Sequence, residues 1–225
     1  MWVKVKDLLR YRNDLGWRDA PDLPPQSAVE PARSRGDADD LDELALRIGG
    51  CTRCRLSEKR RQTVAGEGDR EASVMFVGEG PGGEEDRTGR PFVGQAGKLL
   101  DGMIFALGFE REQVYIGNVV KCRPPGNRDP QEDEMAACSS FLERQIELIR
   151  PRVIVALGRV ASRHLTGATK PMGALRGRWA AYRGTPLLPT YHPAYLLRNP
   201  SAKREVWQDL KIVRARLNDE VSSQF

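Results

Sequence analysis

From residue 73 onward the chain alternates short, unbroken apolar runs with longer stretches whose apolar residues recur every three or four positions. The runs SVMFVG (73–78), VYIGNVV (114–120), RVIVALG (152–158) and TPLLPTY (185–191) have the length and bounding residues of strands. Helical spacing predicts helices over about 96–107, 130–149, 159–165 and 203–217, with Pro130 at a helix start, where its missing N–H is no loss. Strands that are apolar throughout and separated by helices predict a parallel sheet covered on both faces. The expected fold class is α/β, a three-layer α/β/α sandwich on a central, mainly parallel four-stranded sheet. In such sheets ligands bind beyond the carboxyl ends of the strands. Those ends carry GEGPG, Asn118, LGR and YHPAYLLR.

Before residue 41 this alternation lapses. Trp2, Val5, Leu8 and Leu9 recur near helical spacing and predict a short helix. From Ala20 to Asp40 the chain is rich in proline and charge and almost empty of large apolar residues, so it cannot repay its own ordering and reads as a flexible linker. The expected organisation is a tail and linker over 1–40 and one domain over 41–225, which suits a chain of 225 residues.

Composition adds less. With 36 basic and 31 acidic residues the net charge is +5, a mild pull toward polyanions. No stretch approaches the roughly 20 apolar residues that cross a bilayer, and charges break up the start MWVKVKDLLRYRND where a signal peptide would be apolar. A soluble, cytoplasmic protein without membrane contact is expected. Of the four cysteines, two form Cys51-x-x-Cys54 and the others are Cys122 and Cys138. Without an export signal a disulfide framework fits poorly. Four thiolates suffice for tetrahedral zinc or for a four-iron cluster, and spacing does not choose between them.

The segment GEGPGGEEDRTGRPFVGQAG, from Gly78 to Gly97, follows a strand and leads into a helix, a placement that suits backbone amides facing an anion. It has neither a G-x-G-x-x-G register nor a G-K-[ST] ending, which argues against a nucleotide-phosphate loop. Taken alone, its glycines shape a turn. Lys121, Arg123 and Arg128 offer diffuse attraction for phosphate.

The succession GEGPG, EED and GRPFVG, then NVVKCRPPGNRDP (118–130), IVALGRVA (154–161) and HPAYLLRNP (192–200), closely resembles the family-four uracil-DNA glycosylases, the thermophile-type iron–sulfur branch of that superfamily. The blocks arrive in the family's order over most of the chain. The resemblance implies a monofunctional DNA-repair enzyme that flips uracil out of single- or double-stranded DNA and hydrolyses its N-glycosidic bond, leaving an abasic site. That chemistry needs donors for the charge the departing base carries away. By resemblance His192 is the catalytic donor, Asn118 reads the base edge, and Phe92 stacks on the flipped base. Glu79 is similar to the glutamate near the attacking water; Gly80 follows it where family-one enzymes carry an aspartate. Glu85 resembles the side chain that blocks the thymine methyl group. Leu196 or Leu197 with Arg198 lie in what resembles the DNA-intercalation loop, a wedge beside a phosphate contact. Cys51, Cys54, Cys122 and Cys138 match the ligands of a [4Fe-4S] cluster, with a structural role. His164 has no such context and reads as structural. A monomer is expected. The branch that traps its product covalently through a histidine on an arginine-rich loop is disfavoured, since KCRPPGNRDP has no histidine. A non-catalytic uracil-DNA-binding module is the remaining alternative, against which Glu79, Asn118 and His192 argue.

Overall fold

The computed structural model describes residues 36–222; the predicted helix near Trp2 and most of the predicted linker lie outside the described residues. Helix α1 (Gly36–Gly49) begins inside the segment read as linker and buries Leu41, Leu44 and Ile48 on one face. Its charged residues obscured that stripe in the sequence.

Among the described residues the sheet has six strands, in the order β1-β3-β2-β4-β6-β5. The four predicted strands are its parallel centre: β2 (Val74–Gly78), β3 (Tyr115–Asn118), β4 (Val153–Leu157) and β6 (Thr185–Thr190). Two short antiparallel edges were not predicted, β1 (Glu67–Gly68) beside β3 and β5 (Ala180–Tyr182) beside β6. Around the sheet run α2 (Gly83–Thr88), α3 (Gln95–Ala106), α4 (Glu132–Ile149), α5 (Gly158–Thr166), α6 (Met172–Leu175), α7 (Pro193–Arg198) and α8 (Lys203–Ser222). The predicted three-layer α/β/α arrangement is what forms. Pro130 stands just before α4 rather than within it: Gln131 is the N-cap, and its N–H donates to Glu134 at 2.8 Å.

The strand period of two divides the core. Val74 and Phe76 of β2 face Leu100, Met103, Val206 and Leu210, from α3 and α8. Met75 and Val77 face Leu44, Leu142 and Ile149, from α1 and α4. With both faces buried in this way, the strand centre is apolar throughout and the polar residues are left to the carboxyl ends.

Candidate active site

The register of β2 on β3 sets the base of the site. Gly78 ends β2 directly opposite Asn118, the last residue of β3. The pairing continues past the strands, with Val119 N donating to Gly78 O at 2.9 Å and Val120 N to Glu79 O at 3.1 Å. A Cβ on Gly78 would lie 2.4 Å from Asn118 Oδ1 and 2.6 Å from the Phe92 ring, so only glycine lets both side chains close over the strand end. Asn118 is 1% exposed, and its Oδ1 is buried without a hydrogen-bond partner. A buried acceptor in that state costs about 1–3 kcal/mol, which the fold would shed unless the atom were kept for something that arrives from outside.

His192 faces the same space from just beyond β6. It is the N-cap of α7, where its Nδ1 accepts from Ala194 N at 3.1 Å and Pro193 fixes the first helical position. That bond fixes the tautomer, since an accepting Nδ1 leaves the proton of a neutral imidazole on Nε2. Burial pushes the His192 pKa down to about 4, and the nearby Arg198 charge pushes the same way against Glu85. At neutral pH the ring is therefore an uncharged Nε2–H donor. Gly158, at φ 83 where α5 begins directly after β4, leaves room for it: a Cβ there would meet His192 Cβ at 2.8 Å.

Phe92 lies with its ring centroid 5.5 Å from that of His192, the planes inclined by 31°. Its φ of 51 is unusual for a bulky residue, and the loop is held by two sets of contacts. Glu85 accepts from Val93 N at 2.9 Å, Gly94 N at 3.0 Å and Gly82 N at 3.1 Å, lashing the loop after β2 to the one bearing Phe92. Arg111 donates to Phe92 O at 3.2 Å and pairs with Glu67 and Asp101. Glu67 comes from the unpredicted strand β1, so that edge supports the site.

Glu79, Gly80, Glu85, Phe92, Asn118, His192 and Arg198 all line one open cavity of about 410 Å³. Burial, reinforced by the charge of Asp129 and opposed by Arg159, raises the Glu79 pKa to about 7. Asp129 and Arg159 form an ion pair. Arg128, expected only as a diffuse phosphate attraction, also lines the cavity, as do Asp129 and Tyr195; sequence reasoning gave the last two no site role, although they fall inside the blocks NVVKCRPPGNRDP and HPAYLLRNP.

The four cysteines gather elsewhere. None is in a disulfide, and together they line a second, smaller cavity with Arg53, Arg60, Lys121 and Phe141. Cys51 and Cys54 follow α1, Cys122 follows β3 and Cys138 lies on α4. Arg60 Nη1 donates to Cys122 Sγ at 3.2 Å, and Lys121 N to Cys138 Sγ at 3.3 Å. Burial pushes the Cys122 thiol up to about 11. A set of sulfurs ringed by donors and cations suits an anionic thiolate-ligated centre.

The family model for the uracil DNA glycosylase superfamily matches residues 65–211. The chain belongs to the uracil-DNA glycosylase superfamily. It is 48% identical over 186 residues to a Type-4 uracil-DNA glycosylase of Thermotoga maritima, covering 80% of this chain and 96% of that one. To the Type-4 uracil-DNA glycosylase of Sulfurisphaera tokodaii it is 46% identical over 186 residues, 78% of this chain and 84% of the relative. Within the superfamily, therefore, it stands with the type-4 glycosylases, the branch its motifs resemble.

Two expectations for this glycosylase need correction. Leu196 is no candidate wedge: it is 1% exposed and packs in the core with Leu100 and Val206, whereas Leu197 is 44% exposed. A six-residue helix turns the two leucines to different sides, which a loop reading could not separate. Lys121 is no surface phosphate contact either. It is 1% exposed, and its Nζ donates to Asn118 O at 2.9 Å and Gln145 Oε1 at 2.6 Å, bracing the end of β3 from below. Arg128 pairs with Glu134 at 2.6 Å while reaching the cavity wall. His164 sits on α5 away from the cavity residues, its pKa lowered by burial.

Proposed function

We propose that this chain excises uracil from DNA, hydrolysing the bond between base and deoxyribose on an everted nucleotide and leaving an abasic site for repair. The observation that carries the reading is the unpaired, buried Asn118 Oδ1 sharing a cavity with a neutral His192. Uracil offers N3–H to the amide oxygen and a carbonyl to the amide nitrogen. Cytosine offers a bare N3, which would leave Oδ1 facing another acceptor. As the glycosidic bond breaks, negative charge collects on the pyrimidine oxygens and His192 Nε2–H donates to it without first having to lose or gain a proton. Phe92 covers the ring face, and Glu85 walls the loop where a 5-methyl group would enter. Glu79 holds the attacking water near the sugar, while the Arg198 charge meets the backbone phosphate and Leu197 fills the gap left by the base.

The cysteines fit a [4Fe-4S] cluster. All four sulfurs line one cavity, and four cysteine thiolates are the ligand set that such a cluster takes. Cys51, Cys54, Cys122 and Cys138 would hold it, and it would supply cross-linking of α1, the β3 end and α4 rather than bond-breaking chemistry. No described helix is long and apolar enough to cross a membrane. The reading includes a cytoplasmic monomer acting on single- and double-stranded DNA.

The test incubates the protein with oligonucleotides carrying uracil, thymine or hypoxanthine and then adds alkali. Alkali-dependent breaks at uracil are expected, with no break before alkali. No breaks at uracil would overturn the reading.

The pH profile follows from two shifts of opposite sign. Glu79 ionises only as pH passes about 7, so excision rises between pH 6 and 8; His192, at about 4, contributes no change there. Glu79→Gln flattens that rise. Because the raised pKa means the folded protein holds the Glu79 proton more tightly than the unfolded chain, stability falls as pH climbs from the ordinary carboxylate range through 7. Glu79→Gln therefore melts higher than the wild type at pH 8, which thermal unfolding measures.

A further inference from the structure

The short helix α7 presents three different sides. Leu196 enters the core and Leu197 projects outward without lining the cavity. Tyr195 alone among its large apolar side chains does both, lining the cavity that holds His192 and standing 37% exposed. One face of its ring is covered: Tyr191 stacks on it with centroids 4.8 Å apart and planes inclined by 26°. Tyr191 in turn packs against the core, and the Arg176 guanidinium lies 5.7 Å from its ring. Arg176 is fixed by Asp209 at 2.6 Å, and Asp209 is fixed by Thr190 Oγ1, also at 2.6 Å. The exposed ring thus ends a rigid stack built back into β6 and α8.

From this geometry we infer that Tyr195 is a stacking platform for the nucleobase next to the uracil on the same strand, an assignment that rests on the glycosylase reading. An everted base drags its neighbours out of their own stack, and a preorganised aromatic face at the cavity mouth replaces what one of them loses. Arg198, one helical turn on and lining the same cavity, lies on the side where the connecting phosphate passes. The platform serves single strands most, because there no partner strand holds the neighbouring base in place.

A substrate cycle tests this. Single-stranded oligonucleotides carry uracil with ordinary neighbours, or with the base on its 5′ or its 3′ side replaced by an abasic analogue. On the ordinary substrate Tyr195→Ala raises KM about tenfold, ~1.4 kcal/mol, with kcat held within about twofold. Tyr195→Phe keeps the ring and behaves as the wild type. Removing the neighbouring base on one side costs the wild type the same factor and costs Tyr195→Ala nothing more, the signature of a direct contact. Equal KM for the wild type and Tyr195→Ala overturns the assignment. So does a Tyr195→Ala penalty that persists unchanged on both abasic substrates, which marks a merely structural ring. If instead the wild type releases no uracil from any substrate, the glycosylase reading falls, and this assignment with it.

Discussion

Asn118→Ala and His192→Ala should each lower uracil excision about 10²- to 10³-fold in kcat, the usual loss when one preorganised partner of the developing charge is removed. The two variants part company in stability. Asn118 Oδ1 is buried and unpaired, so alanine removes a desolvation cost of about 1–3 kcal/mol and opens its void onto a cavity that solvent already reaches. Its melting temperature should equal or exceed that of the wild type. His192 also caps α7 through Ala194 N, and losing a cap costs about 1 kcal/mol, so His192→Ala should melt a few degrees lower while remaining folded. Single-turnover excision beside thermal unfolding reads both effects. Full activity in both variants would remove these residues from the site. Loss of activity together with a collapse in stability of Asn118→Ala would mean that its amide serves the fold and not a ligand.

That contrast bears on how much of this protein was legible beforehand. The four central strands could be read because burial on both faces leaves no polar residue to interrupt them, as in the wholly buried VMFVG and VIVAL. The edges β1 and β5 could not, since two or three residues paired on one side carry no periodicity. Helix α1 was hidden for a different reason: in GDADDLDELALRIG the buried Leu41, Leu44 and Ile48 recur at helical spacing, but acidic residues around them mimic a linker's composition. At the site, strand ends and glycines set where the side chains stand. Asn118 is opposite Gly78, and His192 is against Gly158. The errors fell on side chains whose environment depends on tertiary packing. Lys121 is a cation in a basic stretch, yet β3 carries it under the sheet to Gln145. Leu196 and Leu197 are chemically alike and separate only once α7 is seen to turn. The support from Arg111 and Glu67 spans 44 positions in sequence and left no local pattern.

Purified anaerobically, the protein should be brown, with about four iron atoms per chain and no stoichiometric zinc. Cys138→Ala should abolish the colour and lower the melting temperature by more than about 10 °C, because Cys138 on α4 and Cys122 after β3 are the two buried members of the set. The cysteine cavity lies beside α1, which packs on β2 and α4 through Leu41, Leu44 and Ile48. Ligation would join three segments far apart in sequence, so most of its free energy appears as folding free energy. The excision site is lined by none of the cysteines. A slow oxidative bleach should therefore lower stability before it lowers the turnover of molecules still folded. Residual activity falling in step with absorbance while the melting temperature stays constant would instead give the centre a part in the reaction. Colourless protein with one zinc per chain would end the cluster assignment and leave the uracil pocket untouched, since the two cavities share no lining residue.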